Sequence, residues 1–320
     1  MNIRTLFNKP LTVWDVIFVL GVTCLLLWLA GKIGYAFWLF EYTSNLQIQY
    51  TVFLFGVSGV LLVGRKYVYS GIIGLFAGIL LVEILWFFMP AGKVVTDTSS
   101  SYRMYFLNVH LTQTDYAALN SSIRKYNPDL FFLVESDDRL IKNLGSLEVD
   151  YPYQKKTLTE GHFGISLFSK MPFSSAEVKC FGIAINPSIS VRYLLQGKPV
   201  QLVALHLMPP GEHICGAWRE SQFRSLGKWL QSVEEPVMVA GDFNVTPWSY
   251  LYKQLIKETS LINSSRSEGM YTTWPGYLKF SALQIPIDHC LHSMSVTVIR
   301  SFKGENAGSD HYPVIVDFTL

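Results

Sequence analysis

Residues 13–90 carry only six Lys, Arg, Asp or Glu side chains (Asp15, Lys32, Glu41, Arg65, Lys66 and Glu83), set among long runs of Leu, Val, Ile, Phe and Gly. Three of these runs, residues 13–30, 49–63 (extendable back through Leu46) and 67–89, are long enough to cross a bilayer. A cleaved signal peptide would explain only the first, and no small-residue cleavage site follows it. Three such runs in succession are rare in the core of a soluble protein. The expectation is therefore a membrane domain over residues 1–92, with three transmembrane helices in contact with the lipid bilayer. Arg4 and Lys9 precede the first run and Arg65-Lys66 separate the second from the third, whereas the loop between the first two offers Glu41 and no cation beyond Lys32. By the positive-inside rule the basic segments are cytoplasmic and the chain leaves the third helix on the outer side. Glu83, within the third run, is expected to be paired or near an interface.

Residues 93–100, with their threonines and serines, read as a polar linker. Beyond them strands alternate with helices. Residues 103–109, 130–134, 164–168, 191–195, 200–205, 237–240, 287–292, 295–301 and 312–318 read as strands, and 114–126, 217–233 and 249–257 as helices. Residues 181–185 also read as strand. Hairpin-like neighbours combined with helical crossovers imply mixed sheets covered by helices, two of them packed face to face. Cys180, Cys215 and Cys290 show no zinc spacing and are expected to be buried free thiols rather than a Cys180–Cys215 bridge. Of the 26 basic and 24 acidic residues, six and three precede Val94, so residues 94–320 carry a net charge of −1. Proteins that grip long nucleic acids usually show a strongly basic face, and this balance weighs against that class.

Polar side chains recur where the strands stop. The apolar run Val237–Ala240 ends at Gly241, and Asp242 and Asn244 follow two apart, so an extended backbone points both the same way. A carboxylate there can orient or deprotonate a water, and an amide can donate to a phosphoryl oxygen. Asn108, Glu135 and His206 close three other strands, Asp288-His289 follow Ile285-Pro286-Ile287, and Asp310-His311 precede the last strand. Each alone is an ordinary turn or cap residue. Their coincidence at successive strand ends predicts one cleft.

The set Leu107-Asn108-Val109, Leu133-Val134-Glu135, Leu205-His206, Gly241-Asp242-Phe243-Asn244, Ile287-Asp288-His289 and Ser309-Asp310-His311-Tyr312-Pro313-Val314 resembles the endonuclease/exonuclease/phosphatase superfamily, over nearly all of residues 101–320. Thr246-Pro247-Trp248-Ser249 and Pro209-Pro210 look like a bacterial, membrane-attached branch. The resemblance implies a four-layer α/β sandwich at residues 101–320 behind the three transmembrane helices, and divalent-metal-dependent phosphodiester or phosphomonoester hydrolysis. Glu135 is the expected ligand of Mg2+ (or Mn2+), being a hard carboxylate; Asn108 and Asp310 complete or support that shell as the family pattern implies. Asp288 and His311 look like the family's acid–imidazole pair. Asp242 would orient the attacking water, Asn244 donate to a phosphate oxygen, and His206 bind or protonate another. Whether Asp242 or His311 is the base stays open.

His110 stands where relatives carry a second acidic ligand, so the metal count stays open too. His289 is expected to be structural, and His162, His213 and His292 to be surface or packing residues. Arg192 and Arg219 are as well explained by salt bridges as by phosphate contact. The expected partners are the bilayer and a phosphoester substrate, lipid or nucleic acid; the expected place is the bacterial inner membrane with the catalytic domain periplasmic. An extracytoplasmic nuclease of the same fold and a catalytically silent binding module are the competing functions.

Overall fold

The structure, a computed structural model, describes residues 11–89, 101–145, 147–159, 161–183, 186–211 and 213–320. Arg4, Lys9, the linker at 93–100 and the side chains of His213 and Cys215 lie outside the described residues. The chain forms two compact units, Met1–Trp86 and Phe87–Leu320.

The first unit is helical, with α1 (Val13–Lys32), the short α2 (Trp38–Thr43), a 3-10 turn (Ser44–Leu46), α3 (Gln47–Val63) and α4 (Tyr67–Phe88). Thr12 starts α1 with a reciprocal cap: its hydroxyl accepts from Asp15 N, and Asp15 Oδ2 accepts from Thr12 N. Three spans, Val13–Lys32, Trp38–Val63 and Tyr67–Phe87, are long and apolar enough to cross a membrane. Leu54, Leu61, Ile73 and Leu80 fill the interior, while Leu and Val side chains also cover the outside. A helix apolar all round suits lipid on its outer face. The second span begins eleven residues before the expected 49, because Ser44, Asn45 and Gln47 turn inward and are buried. Counting apolar residues cannot see that. Glu83 is paired: it accepts from Lys32 Nζ at 2.5 and 2.7 Å and from Gln47 Nε2 at 2.8 Å.

The second unit runs β1 (Tyr102–Asn108), α5 (Tyr116–Tyr126), β2 (Leu130–Val134), α6 (Asp138–Leu144), α7 (Leu147–Asp150), β3 (Tyr153–Thr157), β4 (Ile165–Ser169), β5 (Phe173–Cys180), β6 (Pro187–Leu195), β7 (Lys198–His206), α8 (His213–Gln231), β8 (Val237–Asp242), α9 (Tyr250–Thr259), β9 (Ile262–Asn263), β10 (Asp288–His292), β11 (Thr297–Lys303) and β12 (Val314–Thr319). Two six-stranded mixed sheets result, ordered β11-β12-β1-β2-β4-β3 and β5-β6-β7-β8-β10-β9. Strand alternation assigns the layers. Met104, Phe106, Leu130 and Phe132 face Val191, Leu202, Met238 and Ala240 between the sheets. Tyr105, Leu107, Phe131 and Leu133 point outward under Leu119 and Ile123 of α5 and Leu140 and Leu144 of α6. Val203, Leu205 and Val239 do the same under Phe223 and Leu226 of α8 and Leu251 and Leu255 of α9. The order is helix, sheet, sheet, helix.

The sequence pattern does not reveal β3, β5, β9, α6 or α7. Tyr-Gln-Lys-Lys-Thr in β3 and Phe-Ser-Ser-Ala-Glu-Val-Lys-Cys in β5 lie at sheet edges, where polar side chains are tolerated and blunt further pairing. Phe181–Ile183 is not strand; it forms part of the connection between β5 and β6.

Candidate active site

Register brings the strand ends together. β1 runs parallel to β2, with Asn108 opposite Val134. β7 runs parallel to β8, with His206 opposite Asp242. β10 is antiparallel to β8 with Asp288 opposite Asp242, so its first residue lies at the edge where β7 and β8 end. β12 is antiparallel to β1 with Val314 opposite Phe106, which puts the preceding Ser309–His311 at the same edge. Carboxyl ends of parallel strands and amino ends of their antiparallel neighbours therefore share one rim.

There the side chains form a continuous string. Asn108 Nδ2 donates to Glu135 Oε1 and Asp242 Oδ2, both at 3.1 Å. Asp242 Oδ2 lies 3.8 Å from His311 Nε2 and 3.7 Å from His206 Nε2. His311 Nδ1 meets Asp288 Oδ2 at 2.8 Å. Asp242, Asp288 and His311 are buried and bring their ligand atoms within 4.8 Å of one another. Asp310 joins through the backbone: Ser309 Oγ donates to Asn108 O at 2.6 Å and accepts from His311 N, fixing the two residues that follow it. Its carboxylate takes Trp274 Nε1 at 3.1 Å and lies 3.6 Å from His110 Nδ1. Asn244 N donates to Asp242 Oδ1 at 2.8 Å, and Asn244 Nδ2 to Leu207 O at 2.9 Å, leaving one amide N–H for other use.

Local backbone geometry is strained where it positions these groups. Glu135 (φ +58°), Asn244 (φ +54°) and His110 (φ +59°) occupy the left-handed region, which costs non-glycine residues on the order of 1 kcal/mol or more each and persists where the surroundings impose it. Gly241, at φ +145°, has no room for a Cβ, which would overlap the carbonyl of Leu205.

Electrostatics separate the titratable groups. Burial, and then the Asp288 charge, push Asp242 up to about 7. Burial alone would lower His311, but the Asp288 carboxylate outweighs it and holds the imidazole at about 9. Burial depresses His206 to about 4, against the pull of Glu135. Glu135 is also desolvated, yet His162, His206, Leu111 N and Asn108 together keep its carboxyl below the usual range. Four carboxylates gathered at one rim, one of them with the buried oxygen Asp288 Oδ1 lacking a hydrogen-bond partner, make a hard-oxygen donor set that fits a divalent cation. The tightest group, Asp242, Asp288 and His311, is not the Asn108, Glu135 and Asp310 expected from the resemblance. Both sets lie on the same rim.

Some residues fall elsewhere. His289 faces away, its Nε2 on Val245 O at 2.8 Å, and His292 Nδ1 meets Ser293 O. Arg192 pairs with Glu235, and Arg219, buried, donates to Asn244 O at 3.0 Å. His162 is at the surface, as expected, but it also touches the site: its Nδ1 lies 2.8 Å from Glu135 Oε2 and its carbonyl accepts from His206 Nδ1 at 3.0 Å. The pattern Gly161-His162-Phe163-Gly164 just before a strand was the available signal. Trp274 carried none.

A helix-covered pair of mixed sheets with carboxylates and imidazoles on one rim defines a phosphoesterase fold. The profile of the Endonuclease/Exonuclease/phosphatase family matches residues 106–311, and the chain belongs to this family, whose members are hydrolases acting on phosphoester bonds. Among solved structures, an endonuclease/exonuclease/phosphatase from Bacteroides vulgatus is similar with a TM-score of 0.59 at 18% identity, covering 69% of this chain and 99% of that one. D. rerio TDP2 complexed with single strand DNA product follows at 0.56 and 17%, covering 70% and 100%. Sphingomyelinase C from Streptomyces griseocarneus gives 0.52 and 20%, covering 68% and 99%. Identities this low speak for the shared fold alone. Comparison with curated proteins gave no match.

Proposed function

We propose that the chain is a membrane-anchored, divalent-metal-dependent phosphoesterase whose catalytic unit, residues 101–320, works on the outer side of the bacterial inner membrane. The observation that carries the reading is the unbroken string Glu135–Asn108–Asp242–His311–Asp288 on one rim. Glu135 is the principal ligand for Mg2+ or Mn2+, with Asn108 and Asp310 supporting; the bound cation would neutralise phosphoryl charge and stabilise the leaving oxygen. Asp288 fixes the His311 ring so that Nε2 faces the cleft and keeps it cationic, suited to gripping a phosphate oxygen. That leaves Asp242, held near neutrality, to orient and deprotonate water. Asn244 supplies its remaining N–H to the phosphoryl group. His206 donates through Nδ1 to His162 O, so neutral His206 presents Nε2 as an acceptor; this favours holding the water over protonating the phosphate.

Assays of the full chain in detergent with Mg2+ or Mn2+ on bis-p-nitrophenyl phosphate, phospholipid and single-stranded DNA test the reading. Chelation and Asp242→Ala should each lower turnover by roughly a thousandfold. Activity that survives both overturns it, and turnover confined to DNA favours the nuclease alternative.

A further inference from the structure

The stretch from Trp274 to Ile285 is a closed loop tied to the active site at both ends. Trp274 and Ile285 pair with each other across its neck, Ile285 N donating to Trp274 O at 2.6 Å. Trp274 Nε1 donates to the Asp310 carboxylate, Gly276 N donates to Asp310 O, and three residues past Ile285 the chain reaches Asp288. Gln284, buried, donates from Nε2 to the carbonyls of Pro275 and Leu278 and accepts at Oε1 from Thr272, so the loop is braced from inside.

Its outer surface contradicts that inner order. Tyr277, Phe280 and Leu283 are 71%, 74% and 52% exposed, three large apolar side chains within seven residues. Tyr277 also lines an open cleft of about 520 Å³ with His110, Gln113, Asn306 and Asp310, so the patch borders the catalytic rim. Single exposed hydrophobics need no explanation, but a cluster on a rigid loop beside a site marks a contact surface.

We infer that this loop is a bilayer-contacting element, which seats Tyr277, Phe280 and Leu283 in the membrane interface so that a phosphoester carried on a lipid headgroup reaches Asp310 and the string behind it. The inference deepens the phosphoesterase reading and rests on it for the substrate. Two features favour lipid over nucleic acid as the occupant. The unit as a whole is near neutral, and the same chain holds three spans able to cross a membrane. Lys279, set between Tyr277 and Phe280, adds a cation of the kind that favours anionic lipid surfaces.

The docking test needs no activity. Hydroxyl-radical labelling of the full chain should find Tyr277 and Phe280 at least about fivefold less oxidised in lipid nanodiscs than in amphipol. Met294, 83% exposed at the opposite end of β10, should be labelled alike in both. Equal labelling of all three overturns the inference, whatever the enzyme hydrolyses. The activity test uses Phe280→Ser with Leu283→Ser. Turnover of phospholipid in vesicles should fall about tenfold while that of bis-p-nitrophenyl phosphate stays within twofold. Equal loss on both, or selective loss on single-stranded DNA, overturns it. Failure of the wild-type chain to cleave any of the three substrates would instead count against the phosphoesterase reading.

Discussion

Asp288 and Glu135 differ in what their loss should do, although both are buried carboxylates on one rim. Asp288 reaches the reaction through His311, whose Nδ1 it fixes at 2.8 Å. Asp288→Asn should lower kcat by roughly a thousandfold at saturating metal, through a mis-set ring and a lowered imidazole pKa, with the metal requirement little changed. Glu135→Ala should behave oppositely: metal titrations of activity should show the half-saturating Mg2+ raised about tenfold or more, with partial rescue at excess metal. If Asp288→Asn is instead the variant rescued by metal, the tight Asp242, Asp288 and His311 group is the binding site. His162→Ala provides a third comparison. It removes the imidazole that holds Glu135 Oε2, so a modest rise in metal requirement is expected rather than loss of the enzyme.

At the scale of elements, parallel pairing of β7 with β8 decides the site, since it sets His206 level with Asp242. The pairing depends on Gly241, whose φ of +145° and contact with the Leu205 carbonyl leave no room for a side chain. Gly241→Ala should destabilise the unit by about 3 kcal/mol or more, read as a lower denaturation midpoint with activity lost in parallel. Four such strand ends were legible from sequence because a four- or five-residue apolar run buried on both faces stops at a polar residue, as at Leu130–Val134 before Glu135. The edge strands β3 and β5 were not, since one-sided burial lets polar residues into the pattern.

For the molecule as a whole, two buried histidines tie folding to pH in the metal-free state. His289 and His206 are held near 4 by burial, below the unfolded value of about 6.5. Below pH 6.5 the unfolded chain takes up protons that the folded chain refuses, so stability falls as pH drops toward 4. The loss is roughly 1 kcal/mol per imidazole at pH 5.5. His311, raised to about 9, acts in the other sense: its contribution is full below pH 6.5 and is lost as pH rises through 9. Asp242, raised to about 7, opposes the two histidines over the same range, so the test is differential: in thermal unfolding of the chelated full chain, His289→Gln should lose less stability than the wild type between pH 7 and pH 5.5. Orientation is tested separately: a C-terminal alkaline phosphatase fusion should be active and a cytoplasmic reporter silent if Arg4, Lys9 and Arg65-Lys66 stay inside. Local composition by itself determined that three helices are long and apolar enough to cross a membrane, where four strands end, and the identity of the groups collected there, because burial and turn formation act on neighbours in the chain. Only tertiary pairing decided that Asn108 bridges Glu135 and Asp242, that His162 belongs to the site, and that an exposed aromatic loop borders it. Those contacts join residues 27 to 134 positions apart, where register and packing choose the partner and no local pattern records the choice.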